Sequence, residues 1–175
     1  MEYLIIALGT YLIGSIPFGF LLTKLFLNKD IRDIGSGNIG ATNVLRTGNK
    51  LIGYTTLLLD ISKAILPVIF IKFNYQDYIY IASLSVFLGH VFPVWLKFKG
   101  GKGVATYVGI LLSINLVYGL VFIISWIIIF LFSRYSSLSS IIASLSVPIY
   151  LLFFENFNSI FFGIMFILIF YTHKE

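Results

Sequence analysis

The sequence has no cysteine, few charged residues and only two histidines in 175 residues. The lack of cysteine excludes disulfide bonds, thiolate metal sites, iron–sulfur clusters and a covalent thiol mechanism. Charged residues make up 11% of the chain, whereas soluble domains carry roughly a quarter. This shortage argues against a soluble globular protein of any class.

Several catalytic signatures are also missing. The sequence contains no G-x-S-x-G elbow for a nucleophilic serine. No aspartate follows either histidine by five positions, which excludes the His-x-x-x-x-Asp acyltransferase pattern. The seven carboxylate side chains are too sparse for a di-metal phosphotransferase. We therefore expect neither a metal nor an organic cofactor.

Apolar residues dominate the chain, which is 59% hydrophobic and 18% aromatic. One soluble core of this length could not bury so many apolar side chains, so the bilayer must solvate much of the surface. The prediction is an all-α, polytopic membrane helix bundle that forms a single integral membrane domain over residues 1–175.

The predicted spans follow from apolar segments of about 20 residues. One segment, Val104–Phe132, is too long for a single crossing, and Ser113, Asn115 and Gly119 offer places to break it. A break gives seven spans in all, which we favour, and an unbroken helix gives six. The other predicted membrane segments are Tyr3–Leu27, Leu51–Phe73, Tyr78–Leu96, Ser139–Phe154 and Phe157–Tyr171.

Two basic loops fix the predicted orientation. The first loop (residues 28–50) and the second loop (97–103) each carry several lysines or arginines, and two spans separate them. Because cytoplasmic loops are enriched in these residues, both loops should be cytoplasmic and the N-terminus outside. With seven spans the C-terminus is cytoplasmic too. The net charge of +5 therefore indicates membrane orientation and anionic ligands, with no nucleic acid partner expected.

The first loop contains a G-x-G-x-x-G spacing at Gly35, Gly37 and Gly40, and Asp60 follows where a ribose ligand would stand. A dinucleotide site needs a βαβ unit, however, and these glycines follow a membrane helix. A flexible turn is one alternative. The neighbouring polar side chains favour a phosphate site: Ser36, Asn38, Thr42, Asn43 and Arg46.

The second loop, "FKGGKGVAT" from Phe98 to Thr106, fails the P-loop pattern but shares its physics. Gly100, Gly101 and Gly103 free the backbone, and Lys102 supplies charge before a predicted helix. A basic head-group anchor is the alternative. Three glycines within four positions favour a bound anion.

Four ionisable residues lie in or beside the spans. Asp60 and Lys63 are three apart on one helical face, and they form either a structural pair or part of a site. His90 ends the third predicted span, and His173 ends the last helix. Each histidine is either a packed structural residue or a site residue.

Taken together, these segments resemble the bacterial acyl-phosphate:glycerol-3-phosphate acyltransferase family along nearly the whole chain. The two loop motifs carry most of the resemblance. The matching stretches are "YLIGSIPFGFLLTK", "GSGNIGATNVLR", "LLLDISKAILPV" and "LGHVFPVWLKFKGGKGVAT".

The resemblance implies a multi-pass enzyme of the bacterial inner membrane with its active site on the cytoplasmic side. It would transfer a fatty acyl group from acyl phosphate to the 1-hydroxyl of glycerol 3-phosphate. The products would be 1-acylglycerol 3-phosphate and phosphate, at the first step of phospholipid synthesis. A functional link to the enzyme that makes acyl phosphate follows.

The resemblance also implies roles for individual residues. Ser36, Arg46 and His173 become candidate catalytic residues, and Asp60 with Lys63 a supporting intramembrane pair. Candidate substrate-binding residues are Gly37, Asn38, Gly40, Thr42, Asn43, His90, Gly100, Gly101, Lys102, Gly103 and Thr106.

The chain departs from the family in its third motif, which begins His-Arg/Lys-x-Asn and continues to a glutamate. Only His173-Lys174-Glu175 is present before the sequence ends. We therefore expect either a fragment or an incomplete site. A small transporter of a phosphorylated metabolite and a non-catalytic membrane scaffold are the rival functions.

Overall fold

A computed structural model describes residues 1–154 and 156–173, in which α-helices and short 3₁₀ turns form without any β-strand. The prediction of an all-α protein is confirmed. The α-helices of this part are α1 (Glu2–Gly14), α2 (Phe18–Leu27), α3 (Ala41–Leu45), α4 (Lys50–Asn74), α5 (Ile79–Val91), α6 (Val104–Ile114), α7 (Leu116–Ser133), α8 (Ser136–Leu152) and α9 (Asn156–Thr172).

The chain divides into two compact units, Met1–Ile110 and Leu111–Glu175. The first unit contains both basic loops and the helices that precede and follow them. The second contains α7, α8 and α9. The assignment of the whole chain to one domain stays a prediction.

The first predicted span is interrupted within the membrane sequence. Helix α1 ends at Gly14, and α2 begins at Phe18 after Pro17. Proline has no backbone N–H and fixes its own φ, so it suits the position just before a helix. At the break the carbonyl of Ile16 accepts from the Phe18 N–H at 3.2 Å and also from the Lys63 ammonium of α4 at 2.7 Å.

Helix α4 covers the predicted segment 51–73 and is 25 residues long. Its first turn is capped by Asn49, whose side-chain oxygen accepts from the Ile52 N–H at 3.1 Å. Such a cap satisfies one of the N–H groups that a helix start leaves unpaired. The helix carries Asp60 and Lys63, both buried, at its middle.

Helices α1 and α5 pack closely because glycines face the contact. A methyl group on Gly14 would overlap the carbonyl of Val86, and one on Gly89 would overlap the carbonyl of Tyr11. The Tyr11 hydroxyl donates to the Phe92 carbonyl at 2.7 Å. Small residues at helix contacts let backbones approach, as in membrane helix pairs generally.

The long apolar segment 104–132 breaks at Asn115, one of the three predicted positions. Helix α6 ends at Ile114 and α7 begins at Leu116. The Asn115 side chain accepts from the Val117 N–H at 2.9 Å, which caps α7.

Polar side chains connect the helices of the second unit. Trp126 on α7 donates through Nε1 to the Ser140 hydroxyl on α8 at 3.1 Å. Ser159 on α9 donates to the carbonyl of Pro148 on α8 at 2.8 Å. These two bonds tie α8 to both of its partners in the second unit.

Three helical stretches of the described residues are long and apolar enough to cross a membrane, namely Glu2–Leu27, Gln76–Leu96 and Leu116–Ser133. Shorter apolar helices cover 104–114, 136–152 and 157–172. Helix α4 falls outside this group despite its length, and it carries Lys50, Asp60, Lys63 and Lys72. Seven spans and the orientation of the termini stay predictions.

The glycine contact between α1 and α5 leads to a testable prediction. Gly14→Ala should lower the free energy of unfolding by about 1–3 kcal/mol, the usual cost of overpacking. Thermal unfolding of the purified protein in detergent measures the change. Gly9→Ala in the same helix is the control, because a methyl group there meets no atom within 4 Å. Equal stability of both variants would contradict the packing described.

Candidate active site

The first loop is organised by the side chain of Asn43, which is 2% exposed. Its amide nitrogen lies within hydrogen-bonding distance of three carbonyl oxygens, those of Ile31 at 3.1 Å, Ile34 at 2.8 Å and Asn38 at 2.8 Å. Its oxygen accepts from the Ser36 N–H at 3.0 Å. Asn43 therefore holds the loop's shape from within.

Two glycines of the motif adopt backbone angles that other residues disfavour. Gly35 has φ +56° and Gly37 has φ +70°, in the left-handed region. A methyl group on Gly35 would also overlap the Asn43 oxygen and approach the Arg46 side chain. The G-x-G spacing thus lets the chain turn tightly around Asn43 and beside Arg46.

Several backbone N–H groups of this loop are donors inside it. Besides Ser36, Gly37 donates to the Ile34 carbonyl at 3.0 Å, and Gly40 donates to the Asn38 side chain at 2.8 Å. The loop instead exposes the side chains of Ser36 and Arg46. A ligand approaching from solvent would meet a hydroxyl and a guanidinium.

An ion pair that the sequence analysis did not single out stands at the start of the first loop. Arg32 donates to both carboxylate oxygens of Asp30, at 2.9 and 2.6 Å. Its guanidinium also lies 4.9 Å from the ring centre of Phe20 on α2. The hydrogen bonds from Arg32 lower the pKa of Asp30 to about 2. The Asp-x-Arg spacing was the only signal in the sequence.

The second loop folds back onto the end of α5. The Gly100 N–H donates to the Val91 carbonyl at 3.1 Å, and the Gly101 N–H donates to the His90 carbonyl at 3.0 Å. The turn before these glycines places Lys97 at φ 53° and Phe98 at φ 62°. Two successive left-handed residues are unusual outside glycine and mark a constrained turn.

The charges of the two loops interact at Lys102 and Arg46. Burial lowers the pKa of Lys102, and the positive charge of Arg46 lowers it further. Charges affect each other's pKa in this way only at short range. The tertiary structure thus brings the cation of the second loop near enough to that of the first for their charges to repel.

Beneath the loops lies the buried pair predicted from the sequence. Lys63 Nζ is 2.8 Å from Asp60 Oδ1, and both side chains are at most 3% exposed. His90 joins them, with its Nδ1 3.7 Å from the same carboxylate oxygen. Three elements therefore meet at one polar cluster: α4, α5 and the break before α2.

Two further candidates belong to other elements of the chain. Thr106 is fully buried in α6, and its hydroxyl makes no hydrogen bond with the described residues. His173 follows α9, in the second unit, with Nδ1 2.8 Å from the Ile169 carbonyl. Lys174 and Glu175, the rest of the predicted third motif, lie outside the described residues. Within those residues, no three histidine or carboxylate side chains cluster as metal ligands.

The fold and these loops define an apolar helical protein with two basic, glycine-containing loops. A sequence model of the glycerol-3-phosphate acyltransferase family matches residues 4–175. The chain therefore belongs to the glycerol-3-phosphate acyltransferase family. This finding confirms the resemblance drawn from the loop motifs.

Particular relatives agree closely. A glycerol-3-phosphate acyltransferase from Pelagibacter ubique is 77% identical over 175 residues, covering 100% of this chain and 92% of the relative. One from Bartonella henselae is 56% identical over 154 residues, covering 85% and 73%.

A crystal structure of PlsY (YgiH), described as an integral membrane glycerol 3-phosphate acyltransferase in its glycerol 3-phosphate form, superposes with a TM-score of 0.93. The two chains are 35% identical, and the match covers 99% of this chain and 89% of that one. The structure of its lysophosphatidic acid form superposes with a TM-score of 0.89. The sequences are 34% identical, and the match covers 99% of this chain and 88% of that one.

The central role of Asn43 can be tested by Asn43→Asp, which keeps the acceptor for Ser36 but loses the donor to three carbonyls. Lost buried hydrogen bonds cost about 1–3 kcal/mol. Since 1.4 kcal/mol is a factor of ten, amide exchange over residues 31–40 should accelerate roughly tenfold or more. Hydrogen–deuterium exchange mass spectrometry measures it. Thr42→Ala, at an exposed position of the same helix, should leave exchange unchanged.

The interaction between the loops predicts a change in the pKa of Lys102. Arg46→Gln removes the positive charge that lowers this pKa, so the pKa should rise and the neutral amine fraction should fall at a given pH. Competitive acetylation of Lys102 across a pH series, read by mass spectrometry, measures the shift. Arg32→Gln removes a cation that is paired with Asp30 and should not alter it. An unchanged pKa in Arg46→Gln would mean that the loops are not neighbours.

Proposed function

We propose that the protein transfers a fatty acyl group from acyl phosphate to the 1-hydroxyl of glycerol 3-phosphate. The products are 1-acylglycerol 3-phosphate and phosphate. The observation that carries the proposal is a pair of cations in the two glycine-containing loops: Arg46, whose side chain lies against Gly35, the residue before Ser36, and Lys102, whose pKa is lowered by the charge of Arg46. Two repelling anionic substrates need cations on both sides, and this pair supplies one from each loop.

Each loop is assigned one phosphate in this proposal. Arg46, whose planar fork suits two phosphate oxygens, and Ser36 bind the acyl phosphate end. Lys102 and the turn at Gly100, Gly101 and Gly103 hold glycerol 3-phosphate. The internal use of the first loop's N–H groups supports recognition there by side chains.

The chemistry requires no covalent enzyme intermediate. The glycerol oxygen forms a bond to the acyl carbon, and the bond from that carbon to the phosphate oxygen breaks. The phosphate leaves with the electron pair. The hydroxyl proton passes to the departing phosphate, since His90 is only 3% exposed. Catalysis is then orientation and stabilisation of developing negative charge.

The proposed setting is a bacterial inner membrane, with seven spans and both basic loops in the cytoplasm. The positive residues of the loops support this orientation. Exposed aromatic residues beside the second loop, Trp95 and Phe98, suit the membrane–water interface. Acyl phosphate is a reactive mixed anhydride, so an enzyme that makes it must act immediately upstream.

The test is acyl transfer by the purified protein supplied with acyl phosphate and labelled glycerol 3-phosphate, followed by lipid extraction. Labelled lipid should form with the unaltered chain. Ser36→Ala should lower kcat by about 10²–10³, the usual loss for a donor that stabilises a developing oxyanion.

Ser137→Ala is the matched control, because Ser137 is an exposed serine of α8 and should not change turnover. Full activity in Ser36→Ala would remove Ser36 from the mechanism. A trapped acyl-enzyme would contradict direct transfer. Counterflow of glycerol 3-phosphate in vesicles without acyl transfer would replace the enzyme by a transporter.

A further inference from the structure

His90 occupies a particular place between the buried ion pair and the second loop. It is 3% exposed and lies one residue before the end of α5. On one side its Nδ1 faces the Asp60 carboxylate at 3.7 Å, too far for a direct hydrogen bond. On the other side it meets Gly101, the middle of the second loop.

The contact with Gly101 involves both the backbone and the ring of His90. The Gly101 N–H donates to the His90 carbonyl at 3.0 Å. A methyl group built on Gly101 would overlap the imidazole at Nε2 and would lie 2.7 Å from Cε1. The ring therefore fills the space that any side chain at position 101 would need.

A second side chain of α5 supports the same loop. Phe87 is fully buried one turn before His90, and a methyl group on Gly103 would lie 2.5 Å from its Cε2. Residues three apart share a helix face, so the side chains of Phe87 and His90 lie on one face of α5 and pack against Gly103 and Gly101. Lys102 lies between these two glycines, so the packing of Phe87 and His90 fixes the backbone on both sides of it.

The side of His90 away from the loop faces the fixed Asp60 carboxylate. Lys63 lies between Asp60 and the Ile16 carbonyl at the break before α2, so the carboxylate facing His90 is tied through Lys63 to that break. A buried ion pair with an additional hydrogen bond is costly to displace. The imidazole therefore has little freedom to move away from the loop.

We infer that His90 is a positioning residue: its imidazole fixes the position of the Gly101 peptide and thereby places Lys102 at the phosphate of glycerol 3-phosphate. The inference rests on the proposed function for the identity of that ligand. It gives His90 no direct contact with substrate. Position 101 must then be glycine because of the ring beneath it.

This relation makes a steric suppression experiment possible in the full-length protein. Gly101→Ala should raise KM for glycerol 3-phosphate about tenfold, with a smaller change in kcat, since 1.4 kcal/mol of lost positioning is a factor of ten. His90→Ala should raise KM more weakly. The double variant should bind better than Gly101→Ala alone, because the missing ring leaves room for the new methyl group.

Gly100→Ala is the matched control. A methyl group there would meet the backbone carbonyls of His90 and Val91 and the ring of Pro93 instead of the imidazole. His90→Ala should therefore not rescue Gly100→Ala. The inference would be overturned if the increases in KM of Gly101→Ala and His90→Ala simply combined in the double variant. It would also be overturned if His90→Ala rescued Gly100→Ala as well as it rescued Gly101→Ala.

A thermal unfolding series separates this inference from the proposed function. Four proteins are compared: the unaltered chain, Gly101→Ala, His90→Ala and the double variant. For each, the unfolding temperature is measured without ligand and with glycerol 3-phosphate. Recovery of the unfolding temperature in the double variant supports the steric contact even if no acyl transfer occurs. Failure of acyl transfer in the unaltered chain refutes only the function. A Gly101→Ala variant with unchanged unfolding temperature and unchanged KM refutes the contact.

Discussion

The buried ion pair between Asp60 and Lys63 is the interaction on which the first unit depends. Two charges at most 3% exposed are expensive within an apolar helical protein. The cost is offset because Lys63 also donates a hydrogen bond to the Ile16 carbonyl at the break before α2. The pair thus joins α4 to that break and presents a fixed carboxylate to α5 through His90.

The two loops are built on different principles. In the first loop, a buried amide, Asn43, gathers the backbone around itself and leaves Ser36 and Arg46 outside. In the second, the backbone folds onto the end of α5, and glycines lie where side chains from below take the space. One loop is shaped by hydrogen bonds and the other by packing.

Much of the fold follows from sequence pattern. The apolar segments and a break near Asn115 were predicted, since helix length and capping are local properties. The family was predicted because its loop motifs are long. The hydrogen bonds of Asn43 inside the loop were not predicted. Its partners at Ile31, Ile34 and Asn38 depend on the path of the backbone, which no spacing rule specifies.

The sequence by itself determined the helical membrane class, the two basic glycine-containing loops and the pairing of Asp60 with Lys63, which lie three residues apart on one helix. Only the tertiary structure decided that Arg46 and Lys102 are neighbours, that Lys63 reaches Ile16, and that His90 lies under Gly101. Those contacts join residues 11 to 56 positions apart in the chain. They depend on how helices pack, which composition and periodicity do not specify.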